Sequence, residues 1–85
     1  MSTKNDILIY TAANCPYCDR AIDLLKNKGL EYTKIAVDGN DELRQEMMTK
    51  SGRRTVPQIF IKGQSIGGYD DLYALNKEGK LDQML

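Results

Sequence analysis

Apolar residues along this chain fall into two spacings, and the switches between them lay out the elements. Ile7-Leu8-Ile9-Tyr10-Thr11 is a short β-branched and aromatic run with too few polar residues to alternate cleanly. That pattern suits a central strand buried on both faces. After Asn14-Cys15-Pro16 the spacing becomes helical: Cys18, Ala21, Ile22 and Leu25 fall at i, i+3, i+4 and i+7. Pro16 fits the first helical turn, where a missing N–H costs nothing. Lys26 and Lys28 fill the last turn and Gly29 caps it. Tyr32-Thr33-Lys34-Ile35-Ala36-Val37 reads as a second strand. Asp38-Gly39-Asn40 is a turn and an N-cap for a second helix. Asp41 and Glu42 occupy its first turn, Leu43, Met47 and Met48 form its buried face, and Lys50 and Gly52 end it.

Val56-Pro57 breaks the chain before a third apolar run, Gln58-Ile59-Phe60-Ile61. Lys62-Gly63-Gln64 then turns into Ser65-Ile66-Gly67, so the pair reads as a hairpin. Gly67-Gly68-Tyr69-Asp70-Asp71 opens a third helix that carries Leu72, Tyr73 and Leu75 and ends at Gly79, with one more turn over residues 81–85. The order β-α-β-α-β-β-α makes this an α/β chain. Its first β-α-β is expected to be a right-handed crossover with parallel strands, and its last two strands antiparallel. The expectation is a mixed four-stranded sheet flanked by three helices, on both faces. No repeat, low-complexity run or linker interrupts it, and 85 residues leave no room for a second core, so residues 1–85 read as a single domain.

Composition removes several function classes. Twelve Lys and Arg balance twelve Asp and Glu. That gives no electrostatic footprint for nucleic acid or an anionic membrane surface. A mean hydropathy of -0.50, with no long apolar run, excludes a spanning helix. Residues 1–6 are polar and lack the apolar stretch of a secretory signal, so a soluble cytoplasmic protein is expected. The chain has two cysteines and no histidine. Both cysteines sit within four residues, where a bridge closes almost no loop and adds little stability. A pair that constrains nothing is chemical rather than structural, and two ligands fall short of a monomeric zinc site.

Cys15 lies where the first strand ends and the first helix begins. The unpaired N–H groups and partial positive charge of a helix N-terminus favour thiolate over thiol. An ordinary thiol, with pKa ~8.5, is only about 3% thiolate at pH 7, so such a placement matters. Cys18 is one turn further in and faces the packed side. The spacing lets the sulfurs bond, with Cys15 attacking a disulfide and Cys18 displacing the substrate from the mixed disulfide. A metal half-site and an inert pair are the other readings of Cys-x-x-Cys taken alone.

Cys15-Pro16-Tyr17-Cys18 resembles the active site of the dithiol glutaredoxins, whereas thioredoxins usually carry Gly-Pro between the cysteines. The likeness continues through Thr55-Val56-Pro57 and Gly67-Gly68-Tyr69-Asp70-Asp71, covers roughly residues 7–81, and is closest to the bacterial glutaredoxin-3 type. The resemblance implies a thioredoxin-like fold, glutathione as reductant and co-substrate, and no metal. It implies a cis Pro57 beside the nucleophilic sulfur, which leaves the Val56 backbone free to pair with glutathione like an added strand. By the same resemblance the backbone around Gly68, Tyr69 and Asp70, and an Asp side chain, hold the γ-glutamyl end. Asp71 is favoured for the ammonium, and capping is its other reading. Tyr17 is expected as an exposed wall over the sulfurs. Thr55 is expected to offer a hydroxyl, and Arg54 or Arg53, with Gln45 a weaker candidate, to meet the glycyl carboxylate.

The chain departs from the family at Ala12, where many glutaredoxins have a lysine credited with binding glutathione. Tyr69 also replaces the small residue or Cys often found after Gly-Gly, and so narrows or covers the groove. The implied function is reduction of protein disulfides and glutathione mixed disulfides through Cys15 and Cys18, by a monomer whose partners are glutathione and disulfide-bearing or glutathionylated proteins, with no nucleic acid or membrane. The alternative is a dimer carrying a [2Fe–2S] cluster on one Cys15 per chain and two glutathiones, to which Pro16 is unfavourable in the family. A thioredoxin-like protein served by an NADPH-dependent reductase is a third reading.

Overall fold

A computed structural model describes residues 6–85; the polar stretch over residues 1–5 lies outside the described residues. The elements are β1 (Ile7–Thr11), α1 (Pro16–Asn27), β2 (Thr33–Ala36), α2 (Asp41–Ser51), β3 (Gln58–Ile61), β4 (Gln64–Gly67), α3 (Tyr69–Lys77) and α4 (Lys80–Gln83). The sheet order is β2-β1-β3-β4, with β1 parallel to β2 and antiparallel to β3, and β3 antiparallel to β4. The expected mixed four-stranded sheet is therefore present. The turn anticipated after Gly79 is a short fourth helix, so four helices stand where three were expected. Their extra member buries Leu81 completely.

Alternation along the central strands divides the core in two. Ile7, Ile9, Ile59 and Ile61 point to one face and pack with Ala21, Ile22 and Leu25 of α1, Leu72 of α3 and Leu81 of α4. Tyr10 and Phe60 point to the other and pack with Val37 and with Met47 of α2. A strand whose residues all meet a helix layer cannot show a polar face, which is why β1 and β3 read as continuous apolar runs. Each fully buried Leu or Ile contributes about 1.5–3 kcal/mol relative to exposure, so both layers are needed to hold so small a chain.

Local signals end the elements where the sequence places them. Asn40 caps α2 through Oδ1, which accepts from the Leu43 N–H at 3.1 Å. Gly52 closes the same helix at φ 74°, a left-handed conformation that favours glycine. The β3–β4 hairpin turns on Lys62 and Gly63, both at positive φ, as a two-residue primed turn requires.

Candidate active site

The site forms where three chain segments meet at one end of the sheet. The first is the N-terminus of α1. Asn14, at φ 56°, turns the chain out of β1, and Cys15 follows in an extended conformation as the helix cap. Its sulfur accepts from the Cys18 N–H at 3.1 Å, taking the role a Ser or Asp oxygen plays at most caps. The two cysteines are disulfide-bonded with Cα atoms 5.2 Å apart. Cys18 is 1% exposed and sealed against the core side, while Cys15 is half-buried and faces outward. The asymmetry comes from the helix itself: the cap residue stands at the rim, and the residue three positions on lies on the stripe facing the sheet.

The second segment is Thr55-Val56-Pro57. The Val56–Pro57 peptide is cis, and the Val56 carbonyl oxygen lies 3.9 Å from Cys15 Sγ. The third is the start of α3. A Cβ added at Gly68 would meet the Pro57 carbonyl oxygen at 3.4 Å, so this backbone packs closely against the proline turn. Asp71 Oδ2 accepts from the Gly68 N–H at 3.0 Å and from Arg53 Nη1 at 3.2 Å. A Cβ at Gly67, which sits at φ 117°, would collide with the same carboxylate.

Between these segments runs a shallow groove of about 210 Å³, lined by Tyr17, Arg53, Thr55, Val56, Pro57, Gln58, Gly68, Tyr69, Asp70 and Asp71. Tyr17 is 53% exposed. Its ring is flanked by the Arg20 guanidinium at 5.1 Å and by the Tyr69 ring at 6.3 Å, and Tyr69 in turn lies 6.0 Å from Tyr73. Tyr69 therefore serves as one wall of the groove and supports Tyr17 from behind.

Of the residues singled out in the sequence, Tyr17, Thr55, Val56, Pro57, Gly68, Tyr69, Asp70 and Asp71 come together here with Cys15 beside them. Arg53, and not Arg54, lines the groove; Arg54 points its carbonyl toward Arg44, whose Nη1 donates to it at 3.5 Å. Gln45 is exposed on α2, donating to Thr49, and is not part of the lining. Ala12 is not part of it either. Gln58 was not anticipated. The available signal was its place at the head of an apolar run, next to Pro57, which puts it beside the site if that run is a central strand.

Among the described residues, no group of three or more His, Cys, Asp or Glu side chains is placed to hold a metal ion, and no helix is long and apolar enough to cross a membrane.

A Cys-x-x-Cys pair at a helix N-terminus, facing a cis-proline turn on a mixed four-stranded sheet, defines the dithiol oxidoreductases of the thioredoxin-like fold. The glutaredoxin family model matches residues 7–66. Glutaredoxin 3 of Escherichia coli K12 is 54% identical over 80 residues, which cover 94% of this chain and 96% of that protein. A glutaredoxin of Pseudomonas aeruginosa is 53% identical, over 93% of this chain and 94% of its own. Among solved structures, the Brucella melitensis glutaredoxin superposes with a TM-score of 0.85 at 52% identity, covering 99% of this chain and 91% of that one. The buckwheat glutaredoxin–glutathione complex gives 0.87 at 33%, covering 95% and 76%. The chain belongs to the glutaredoxin family. It is a glutathione-dependent thiol–disulfide oxidoreductase, and the family's reductant is glutathione.

Proposed function

We propose that Cys15 is the nucleophile and Cys18 the resolving thiol in reduction of both protein disulfides and glutathionylated proteins. The observation that carries this is the unequal setting of the two sulfurs: Cys15 at the helix rim beside the groove, Cys18 sealed behind it. On a glutathionylated protein, the Cys15 thiolate attacks the glutathione sulfur. The protein leaves as a thiolate and takes a proton, and a second glutathione thiolate then attacks the bound glutathione sulfur. Oxidised glutathione departs and Cys15 returns to thiolate. On a protein disulfide, Cys15 forms a mixed disulfide with one substrate sulfur. Cys18 attacks the Cys15 sulfur, the substrate leaves as a dithiol, and two glutathiones reduce the Cys15–Cys18 bond.

The groove suits glutathione group by group. The Val56 backbone pairs with its cysteine as an added strand, and the N–H groups at the start of α3, at Tyr69 and Asp70, take the γ-glutamyl carboxylate. Arg53 and Asp71 already carry opposite charges across the groove, 3.2 Å apart. Glutathione presents a carboxylate and an ammonium that can replace each partner for the other. Asp71 then faces the ammonium while keeping the Gly68 N–H, and Arg53 meets the glycyl carboxylate, with Arg54 as a more remote cation. The protein acts as a single-domain monomer in the cytoplasm, without metal. A glutathione-coupled assay on a small glutathione mixed disulfide tests the reading; no turnover by the reduced wild-type protein would falsify it.

A further inference from the structure

Among the described residues, two buried side-chain polar atoms have no hydrogen-bond partner, Thr11 Oγ1 and Gln58 Oε1. The second belongs to a residue that borders the groove. Gln58 opens β3 directly after Pro57, pairs in register with Tyr10, and is 1% exposed. Its Nε2 donates to the Thr55 carbonyl oxygen at 2.9 Å and approaches Thr55 Oγ1 at 3.2 Å. Both contacts go to one residue three positions earlier, and together they close a strap around Val56 and Pro57. The other end of the same amide, Oε1, is shut away from water with nothing to accept.

Packing alone does not account for this residue. Methionine has nearly the same length and volume and would bury no unpaired acceptor, so the amide carries a cost that an apolar side chain avoids. A half-satisfied buried group of this kind calls for a reason in its satisfied half. Here that half holds Thr55, in a segment, residues 52–57, with no helix or strand of its own. The segment also carries the Val56 carbonyl oxygen, 3.9 Å from Cys15 Sγ.

We propose that Gln58 is a positioning residue whose side-chain amide straps Thr55 and so holds the Val56 backbone in register with Cys15 for the glutathione moiety of the substrate. This rests on the reading of the groove as the glutathione site. Gln58 acts through the 55–57 segment and contributes no atom to the reaction.

The test is Gln58→Met, assayed on the mixed disulfide of glutathione and 2-mercaptoethanol, with melting temperature measured alongside. Losing the strap should raise KM about 3- to 10-fold, the range for one or two hydrogen bonds, with kcat within about twofold. Melting temperature should hold or rise, because the orphaned acceptor goes with the amide. A merely structural residue gives the opposite pattern, a lowered melting temperature with unchanged KM, and that result overturns the proposal. Thr55→Val removes one acceptor of the strap and should raise KM less; added to Gln58→Met it should have almost no further effect. Full additivity of the two also overturns the proposal. If Gln58→Met does not fold, Gln58→Asn, which keeps the amide but cannot reach Thr55, should show the same KM increase, and a wild-type KM there counts against the strap. Failure of the glutathione reading itself looks different, since the wild-type protein would then not turn over this substrate.

Discussion

Asp71 sits one turn into α3, and its carboxylate reaches back to the Gly68 N–H at 3.0 Å, tying the start of the helix to the groove it borders. The same oxygen pairs with Arg53, so one side chain both caps a helix and sets charge in the site. The two roles separate by substitution. Asp71→Asn keeps an acceptor for Gly68 and removes the charge, and KM for glutathione should rise with little change in melting temperature. Asp71→Ala removes both and should also cost about 1 kcal/mol of stability, the usual worth of a cap. Thermal melts and steady-state kinetics on the pair check this; an unchanged KM for glutathione in Asp71→Asn, with stability lost only in Asp71→Ala, would leave capping as the whole role.

Replacing the cysteines one at a time should split two activities. Cys15→Ser is expected to abolish turnover of every substrate, because it removes the thiol at the helix rim. Cys18→Ser is expected to keep reduction of the glutathione mixed disulfide and lose most reduction of a protein disulfide such as insulin, which needs a resolving thiol. Both assays run on both variants decide the matter, and identical behaviour of the two would contradict the division of roles.

The tyrosine row should matter to the shape of the groove. Tyr69 joins the Tyr17 ring on α1 to the Tyr73 ring on α3. Aromatic pairs of this kind are worth about 0.5–1.5 kcal/mol beyond the area they bury. Tyr69→Ala should lower the melting temperature and, by freeing Tyr17, raise KM for the glutathione mixed disulfide. Tyr73→Ala breaks only the outer pair, away from the groove lining, so it should lower stability less and leave KM near wild type.

On the far face of the sheet, Tyr10 is fully buried, and its hydroxyl donates to Glu46 at 2.7 Å. Burial first, then the hydrogen bond and the negative charge of Glu46, push its pKa from 10.0 up to about 12. Below pH 10 the folded and unfolded chains both hold this proton, and the contribution to stability is complete. Between pH 10 and about 12 only the unfolded chain loses it, so stability should fall across that window. Tyr10→Phe removes the titrating group. Its unfolding midpoint in urea should fall less steeply over the same pH range, and parallel curves for the two proteins would exclude Tyr10 as the cause.

Periodicity along the chain was enough to determine the element order and the mixed sheet, because each element carries its own local signal. The i, i+3, i+4, i+7 stripe of α1, the Asn40 cap and the Gly63 turn are decided within a few residues. The helix-terminal setting of Cys15 and the sealed setting of Cys18 were legible for the same reason, as both follow from position on one helix. Pro57, Thr55 and Asp71 could be assigned to a site only through resemblance, since nothing local brings residues 15, 56 and 71 together. That meeting is made by the pairing of β1 with β3 and by the packing of the Gly68 backbone on the Pro57 carbonyl. The choice of Arg53 over Arg54 was likewise beyond the sequence. Adjacent residues in a segment with no regular period carry no signal of direction, and only the folded path turns one toward Asp71. Gln58 shows the same limit: its place at the head of an apolar run, next to Pro57, was readable, but the strap to Thr55 exists only because the chain doubles back around a cis-proline. Local propensity determined the pieces of this protein, and long-range contact decided which side chains share the groove.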